Sequence, residues 1–291
     1  MFRELHHHYV SQSGEKTSTL HRGGRRTMKR RNSLLHKRII IFDLDGTLTK
    51  SKSDIDHEMA SLICELLRIK YVAVASGCSF QQFKSQFLSG LPGRTNLDNL
   101  LLFPTSSSSG YYYDRKRRRF SRAYTNHLSG QDVKKIMRSF AKVFAKIAYS
   151  NPAKTYGPVF ENRGSQVTFS ALGQKAPLRL KRKWDPNQQK RLRIRKLLRA
   201  QLRNFDISIG GTTSIDVTRK GVNKTLCLEK LRERLGVKQK DMLYVGDALF
   251  RGGNDYIMKS TGIKCISVSG PKQTKQLVRR IIRRGTSKPF V

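Results

Sequence analysis

Acidic residues are scarce in this chain of 291 residues. Aspartate and glutamate together number 20 against 59 lysines and arginines, which gives a formal net charge of +39 at pH 7. A surface with so few compensating acids attracts polyanions. The basic residues spread over most of the sequence, however, and neither zinc-finger spacing nor an aromatic-rich RNA-binding signature accompanies them. The composition therefore predicts non-specific polyanion binding by a uniformly basic surface rather than a dedicated nucleic-acid site.

Long apolar runs and paired cysteines are missing as well. No segment approaches the roughly 18 consecutive apolar residues that a membrane-spanning helix needs, so we expect no membrane-embedded part. Neither metal-ligand nor disulfide spacing relates the four cysteines, which are Cys64, Cys78, Cys227 and Cys265. Scattered thiols suit a reducing cytoplasm better than a disulfide scaffold, and we predict a cytoplasmic protein.

The first 27 residues differ in composition from the rest of the chain. They contain the three histidines His6, His7 and His8 and many small polar residues, without apolar periodicity. This composition predicts a basic, disordered tail over residues 1–35, in which the histidines form an incidental cluster. Because Met28 is followed almost directly by the first apolar segment, Met28 is an alternative to Met1 as the true start, and the sequence leaves both open.

The most informative segment joins an apolar run to two aspartates. Residues 39–42 are all apolar, which predicts a strand buried on both faces of a parallel sheet, and Asp43 and Asp45 follow at its carboxyl end, where such sheets bind ligands. Two carboxylates this close repel each other unless a cation lies between them, so the motif predicts a metal site. The spacing also lets one carboxylate attack while the other moves protons. The alternative is a strand that ends in a solvated Asp-Gly turn.

Apolar periodicity predicts an α/β fold around this strand. Helices at 54–68 and 80–88 alternate with a strand at 71–75, which is the start of a parallel sheet. The rhythm stops in the middle of the chain and resumes at a helix over 224–235, strands at 242–245 and 263–268, and a helix over 272–284.

The middle of the chain predicts an insertion of a different type. Short strands alternate irregularly with helices at 131–148 and 186–205, which favours an α+β arrangement with an antiparallel sheet. The strands are expected at 100–105, 110–113, 166–171, 207–209 and 214–217. We therefore predict a discontinuous core at 36–84 and 219–291, with an inserted domain at 85–218.

Four short motifs fall at the ends of predicted core strands or the starts of core helices. They are Asp43-x-Asp45-Gly46-Thr47, Ser76-Gly77, Lys224, and Gly246-Asp247 with Asn254-Asp255. Each motif alone is weak, but in this order they resemble the haloacid dehalogenase (HAD) superfamily of phosphotransferases. The resemblance implies a Rossmann-like parallel-sheet core of the HAD type with an inserted α+β cap domain.

The resemblance also implies a role for each motif. Asp43 would attack phosphorus and become an aspartyl phosphate, while Asp45 would protonate the leaving oxygen and then deprotonate the next nucleophile. Lys224 would neutralise charge and position Asp43. Mg²⁺ would be held by Asp43, the Asp45 backbone carbonyl and Asp247, with Asn254 and Asp255 completing or orienting the shell. The Ser76 hydroxyl and nearby backbone amides would hold phosphoryl oxygens, with Gly46, Thr47 and Gly77 among the substrate-binding residues.

Longer segments narrow the resemblance to eukaryotic-type phosphomannomutases, which belong to HAD subfamily IIB. Residues 208–224, 246–255 and 267–274 carry it, and it extends from about Arg38 to Arg284. This family implies a sugar-phosphate substrate, contacts of Ser214 and Asp216 with sugar hydroxyls, and a place for Arg163 in an anionic site of the cap. It also implies a homodimer formed through the cap.

One departure from that family bears on the reaction. Gln174 stands where the family usually has an arginine that grips the distal phosphate, and glutamine offers hydrogen bonds without charge. If Lys175 or Arg163 compensates, the resemblance implies a mutase that interconverts mannose 6-phosphate and mannose 1-phosphate. If neither does, water accepts the phosphoryl group and the protein is a sugar-phosphate phosphatase. A third hypothesis, motivated by the charge, is a nucleic-acid-binding protein on a HAD fold.

Overall fold

Short apolar runs become buried strands in the computed structural model, which describes residues 36–285. The strands are β1 (Ile39–Phe42), β2 (Tyr71–Ala75), β3 (Leu100–Phe103), β4 (Ser109–Asp114), β5 (Arg119–Thr125), β6 (Phe160–Asn162), β7 (Val167–Ser170), β8 (Phe205–Gly210), β9 (Ser214–Arg219), β10 (Met242–Gly246) and β11 (Lys264–Ser267). The α-helices are α1 (His57–Leu66), α2 (Phe80–Gln86), α3 (Gly130–Lys146), α4 (Leu178–Trp184), α5 (Gln189–Gln201), α6 (Leu226–Leu235) and α7 (Pro271–Gly285).

The larger sheet has seven strands in the order β11-β10-β1-β2-β3-β4-β5. The first five are parallel, and β4 and β5 add an antiparallel hairpin at one edge. Strand β1 lies at the centre of the five parallel strands and is fully buried, as its uninterrupted apolar run predicts. Helix α6 covers one face, where its Cys227 and Leu231 pack with Ile39 and Ile41. This is the parallel core that the sequence predicted.

The smaller sheet has four antiparallel strands in the order β6-β7-β9-β8. Side chains alternate between its two faces. One face is apolar and packs with residues of α3 and α5, including Phe140 and Ile194. The other face carries hydroxyl and carboxylate groups, among them those of Thr168 and Asp216. This second face covers the functional site, and it provides the α+β character that the sequence predicted for the insertion.

Strands β3, β4 and β5 were placed in the inserted domain by the sequence analysis, but they pair with the core sheet. The division at residue 85 therefore lies too early for the sheet topology. An antiparallel hairpin at the edge of a parallel sheet has the same alternating pattern as a separate antiparallel sheet, so periodicity cannot assign it. The rest of the domain division stays a prediction.

The basic helix predicted at 186–205 is α5, which is shorter and spans Gln189–Gln201, and the sequence analysis did not predict the short helix α4 before it. Helix α4 ends at Trp184 and α5 starts at Gln189, with Gln188 between them in a left-handed conformation. Pro186 breaks the helical hydrogen bonding at this point. Within the described residues, no helix has the length and apolar composition to cross a membrane. The tail predicted for residues 1–35, with Met28, lies outside the described residues.

Candidate active site

Three sequence motifs meet because they follow neighbouring parallel strands. Asp43 follows β1, Ser76 follows β2, and Asp247 follows β10. A cavity of ≈ 1040 Å³ opens at this edge of the sheet, and residues of the smaller sheet complete its wall. Of the site residues predicted from the sequence, the cavity is lined by Asp43, Asp45, Gly46, Ser76, Gly77, Arg163, Gln174, Ser214, Asp216, Lys224, Asp247 and Asn254.

Three carboxylates form an acidic cluster at the bottom of the cavity. One oxygen each from Asp43, Asp247 and Asp255 lies within 4.8 Å of the others. Burial raises the pKa of Asp43 well above its usual range, against the opposing effect of the Lys224 ammonium. Burial and the nearby Asp255 raise the pKa of Asp247 in the same way.

Lys224 lies inside this cluster. Its Nζ donates to Asp43 Oδ1 at 2.7 Å and to Asp255 Oδ1 at 2.6 Å. Burial alone would lower the pKa of Lys224, but the carboxylates of Asp255 and Asp43 outweigh it and raise the pKa above its usual value. The cluster thus holds three carboxylates and one ammonium, an excess of negative charge that a divalent cation would balance. Carboxylate oxygens are the ligands that Mg²⁺ prefers, so the residues present fit this ion.

Asp255 is the anchor of the arrangement. Besides Lys224, it accepts hydrogen bonds from the Tyr244 hydroxyl at 2.6 Å and from the Ala248 amide at 3.2 Å. Asp43 Oδ2, by contrast, has no protein donor among the described residues. Lys224 is therefore fixed between Asp255, whose two oxygens both accept protein hydrogen bonds, and Asp43, which keeps one oxygen free. That free oxygen is the candidate nucleophile.

Asp45 faces away from the acidic cluster. Its Oδ1 accepts a hydrogen bond of 2.6 Å from the Lys52 amide, and its Oδ2 lies 3.3 Å from Lys52 Nζ. This placement suits the expectation that only the backbone carbonyl of Asp45 takes part in metal binding. Lys52 also lines the cavity and was not among the residues singled out from the sequence.

Gly46 and Thr47 lie beside Asp247. A Cβ atom on Gly46 would come within 2.5 Å of Asp247 Oδ2, and Gly46 has φ +88°, so only glycine fits here. The Thr47 hydroxyl donates to Asp247 Oδ1 at 3.3 Å. Thr47 is buried behind Asp247 and does not line the cavity, although the sequence analysis placed it among the substrate contacts.

The loop from Ser76 to Cys78 offers donors to an anion. The Ser76 Oγ accepts from the Cys78 amide and thiol at 3.4 and 3.2 Å, which leaves its own proton free to donate. The Gly77 amide has no acceptor in the described part of the chain. Its carbonyl accepts hydrogen bonds from Arg163 Nη1 at 2.8 Å and Gln166 Nε2 at 3.0 Å, which tie this loop to the smaller sheet.

Polar residues of the smaller sheet form the opposite wall of the cavity. Arg163 is paired with Glu161 through its Nη2 at 2.5 Å, in addition to its bond to Gly77. Asp216 Oδ1 accepts from Thr168 Oγ1 at 2.7 Å and from Gln166 Nε2 at 3.0 Å, while Oδ2 lies close to Gly77. Burial raises the pKa of Asp216, against the effect of Arg163.

Lys181 adds a cation next to Gln174. Its side chain is buried, lines the cavity, and donates from Nζ to the Gln174 carbonyl at 2.6 Å. Burial and the neighbouring Lys52 ammonium lower the pKa of Lys181. Lys175, which the sequence analysis considered as a substitute for the missing arginine, is exposed and does not line the cavity. In the sequence, only Pro177 marks the start of the helix that carries Lys181.

The chain is similar to known phosphomannomutases over most of its length. Residues 59–284 match the model of the eukaryotic phosphomannomutase family. Phosphomannomutase 1 of Dictyostelium discoideum is 27% identical over 259 residues, which cover 86% of this chain and 98% of that protein. The phosphomannomutase of Arabidopsis thaliana is 26% identical over 243 residues, covering 81% of this chain and 93% of that protein.

Solved structures share the fold at lower identity. An N-terminally truncated IMP-nucleotidase of Plasmodium falciparum superposes with a TM-score of 0.65 at 16% identity, covering 87% of this chain and 73% of that one. The C-terminal domain of trehalose-6-phosphate phosphatase from C. albicans gives a TM-score of 0.56 at 15% identity, with 87% and 95% covered. The HAD-type fold that the sequence motifs implied is confirmed.

Proposed function

We infer, because the chain belongs to the eukaryotic phosphomannomutase family, that it transfers the phosphoryl group of a hexose phosphate through Asp43. The observation that carries this proposal is the pairing of Asp43 with buried Lys224, which leaves one oxygen of Asp43 free at a cavity of substrate size. A fixed ammonium beside the nucleophile is suited to phosphoryl transfer because that reaction depends on positioning and charge stabilisation.

In the proposed reaction, Asp43 Oδ2 attacks phosphorus and the bond from phosphorus to the sugar oxygen breaks. Asp45 supplies the proton to that oxygen, and it later takes the proton of the hydroxyl that receives the phosphoryl group from Asp43. Ser76 and the Gly77 amide donate to phosphoryl oxygens. When bound, Mg²⁺ would neutralise phosphoryl charge, held by Asp43, Asp247 and the Asp45 carbonyl, with Asn254 and Asp255 supporting the site.

Residues of the smaller sheet support a sugar phosphate as the substrate. Ser214 and Asp216 are proposed to bind sugar hydroxyls, and Asp216 Oδ2 is available for this because its other oxygen holds the protein hydrogen bonds. Arg163, Lys52 and Lys181 surround the cavity with cations that would hold a second phosphate. With them, the protein is proposed to interconvert mannose 6-phosphate and mannose 1-phosphate.

A sugar-phosphate phosphatase is the second candidate, and Gln174 is the observation that favours it. No charge comes from the position where the family usually has arginine, so a bisphosphate would be held less firmly and water could accept the phosphoryl group.

The two candidates are separated by the products formed from mannose 1-phosphate and a trace of hexose bisphosphate. A mutase yields mannose 6-phosphate, and a phosphatase yields free phosphate. The Asp43→Asn variant is the control and should form neither product. If no hexose phosphate in a panel gives either product, both candidates are excluded.

We also propose a Mg²⁺ requirement, a homodimer formed through the inserted domain, and a cytoplasmic location. The acidic cluster supports the first, and the free cysteines of the described residues fit the last. Removal of metal with EDTA should abolish turnover and lower the thermal midpoint, and added Mg²⁺ should restore both. Light scattering at two ionic strengths tests the dimer, which a surface of this charge could oppose at low salt.

A further inference from the structure

A turn after β3 adopts an unusual backbone conformation. Thr105, Ser106 and Ser107 have φ values of 51°, 56° and 65°, and none of them is glycine. Left-handed conformations of such residues carry an energetic cost and persist only where the surrounding contacts determine them. All three side chains are buried. We call residues 105–107 the serine turn.

The serine turn holds the loop that carries Ser76. The Ser106 amide donates to the Ser76 carbonyl at 2.9 Å, and the Thr105 amide donates to the Cys78 carbonyl at 2.8 Å. The carbonyl between them, that of Gly77, accepts from Arg163 and Gln166 in the turn that joins β6 to β7. Each of the three carbonyls of this loop therefore accepts a hydrogen bond from outside the loop. The Ser76 hydroxyl and the Gly77 amide stay free to donate to a phosphoryl group.

The same turn reaches the backbone of Lys224. Ser107 Oγ donates to the Lys224 carbonyl at 3.2 Å across 117 positions of sequence, and Ser107 is fully buried. Lys224 is the residue whose Nζ holds Asp43 at 2.7 Å. One turn thus contacts both the proposed phosphate-binding loop and the lysine that orients the proposed nucleophile.

We propose that the serine turn positions the Ser76 loop and Lys224 relative to each other for phosphoryl transfer, with Ser107 as the positioning residue for Lys224. The inference rests on the proposed function. It accounts for the cost of three consecutive left-handed residues, because the turn contributes two amide donors and a hydroxyl donor to the two segments at once. The competing explanation is packing alone, since the neighbouring Ser108 belongs to a buried hydroxyl cluster with Thr105 and Ser165.

Three variants separate positioning from packing. Ser107→Gly removes the hydroxyl but adopts a positive φ freely, so its thermal midpoint should stay close to that of the unchanged protein. Ser107→Thr keeps a hydroxyl donor while its branched side chain strains the turn, so its midpoint should fall. Ser108→Ala is the matched control, because it removes an equally buried hydroxyl of the same run without touching Lys224 or the Ser76 loop.

Steady-state rates with a hexose phosphate give the first measurement. We expect Ser107→Gly to lose about tenfold or more in kcat and to raise KM as well, because a small misplacement of the Ser76 loop and Lys224 weakens both the binding and the transfer of the phosphoryl group. Ser107→Thr and Ser108→Ala should keep kcat within about threefold despite lower midpoints. Rates that follow the thermal midpoints across the three variants, or an unimpaired Ser107→Gly, would overturn the proposal.

Calorimetric titration with inorganic phosphate in the presence of Mg²⁺ gives a measurement that does not depend on turnover. Binding by Ser107→Gly should weaken about tenfold, a loss of about 1.4 kcal/mol, whereas Ser107→Thr and Ser108→Ala should bind as the unchanged protein does. Equal affinities in all four proteins would remove the positioning role. Absence of turnover in the unchanged protein together with normal phosphate binding would instead contradict the proposed function.

Discussion

At the scale of single residues, Gln174 is the residue that we propose determines how firmly the inserted domain holds a second phosphate. It lines the cavity beside Lys181, but it brings no charge. We expect Gln174→Arg to raise the ratio of mannose 6-phosphate to free phosphate by about tenfold, because a hydrogen bond from a charged group contributes roughly 1.5–3 kcal/mol. Product analysis by chromatography measures the ratio. Gln201→Arg is the matched control, because it adds the same charge at an exposed glutamine that does not line the cavity. An equal effect there would show that the site of the added charge is unimportant.

The buried carboxylate of Asp216 lowers the stability of the fold, and the same carboxylate is proposed to bind a sugar hydroxyl. Its pKa is raised by burial, so the folded state binds a proton more tightly than the unfolded state does. The carboxylate therefore destabilises the fold above the ordinary pKa of aspartate, and this cost disappears as the pH falls below that value.

Asp216→Asn should therefore raise the thermal midpoint at neutral pH, since the amide oxygen can still accept from Thr168 and Gln166. The gain should shrink as the pH is lowered through the acidic range. At the same time we expect KM for a hexose phosphate to rise about tenfold, because the sugar hydroxyl loses a charged acceptor. Thermal unfolding from pH 4 to pH 8 and steady-state kinetics provide the measurements. A midpoint gain that does not depend on pH would rule out this explanation.

At the scale of secondary structure, a substitution at the end of α3 is expected to change the stability of the protein without changing its function. Ala148 follows the C-cap with φ 51°, and the Tyr149 amide returns to the Phe144 carbonyl as in a Schellman motif. Ala148→Gly should stabilise the protein by about 1 kcal/mol, because glycine adopts this conformation without strain. Ala145→Gly, inside the same helix and also exposed, should lose about 1 kcal/mol. Urea unfolding measures both changes, and changes of the same sign would contradict the assignment of the cap.

The element scale also shows what the sequence could and could not predict. Asp43, Ser76 and Asp247 meet because each follows a strand of one parallel sheet, and strand ends are readable from apolar runs. Lys181 was missed because its place depends on where α4 breaks from α5, and helix breaks of this kind carry weak signals in so basic a segment. The hairpin β4–β5 was assigned to the inserted domain instead of the core because an alternating pattern does not show which sheet a strand pairs with.

At the scale of the whole molecule, non-specific binding to polyanions and catalysis should depend on different residues. With a net charge of +39, the protein should bind single-stranded DNA of random sequence at low salt, and the affinity should fall by about 10³-fold or more between roughly 50 and 200 mM salt. Asp43→Asn should leave this binding unchanged, because Asp43 is buried beneath the cavity. Fluorescence anisotropy across a salt series measures the slope. Sequence-selective binding that persists near physiological salt would instead revive a dedicated nucleic-acid role.

The central claim is that the phosphoryl group passes through Asp43, and trapping it there is the most direct test. The protein is mixed with a hexose bisphosphate and Mg²⁺, quenched rapidly in acid, digested, and its peptides are analysed by mass spectrometry. We predict one added phosphoryl group on the peptide that contains Asp43, absent from Asp43→Asn. A phosphoryl group on any other residue, or turnover by Asp43→Asn close to that of the unchanged protein, would contradict this claim.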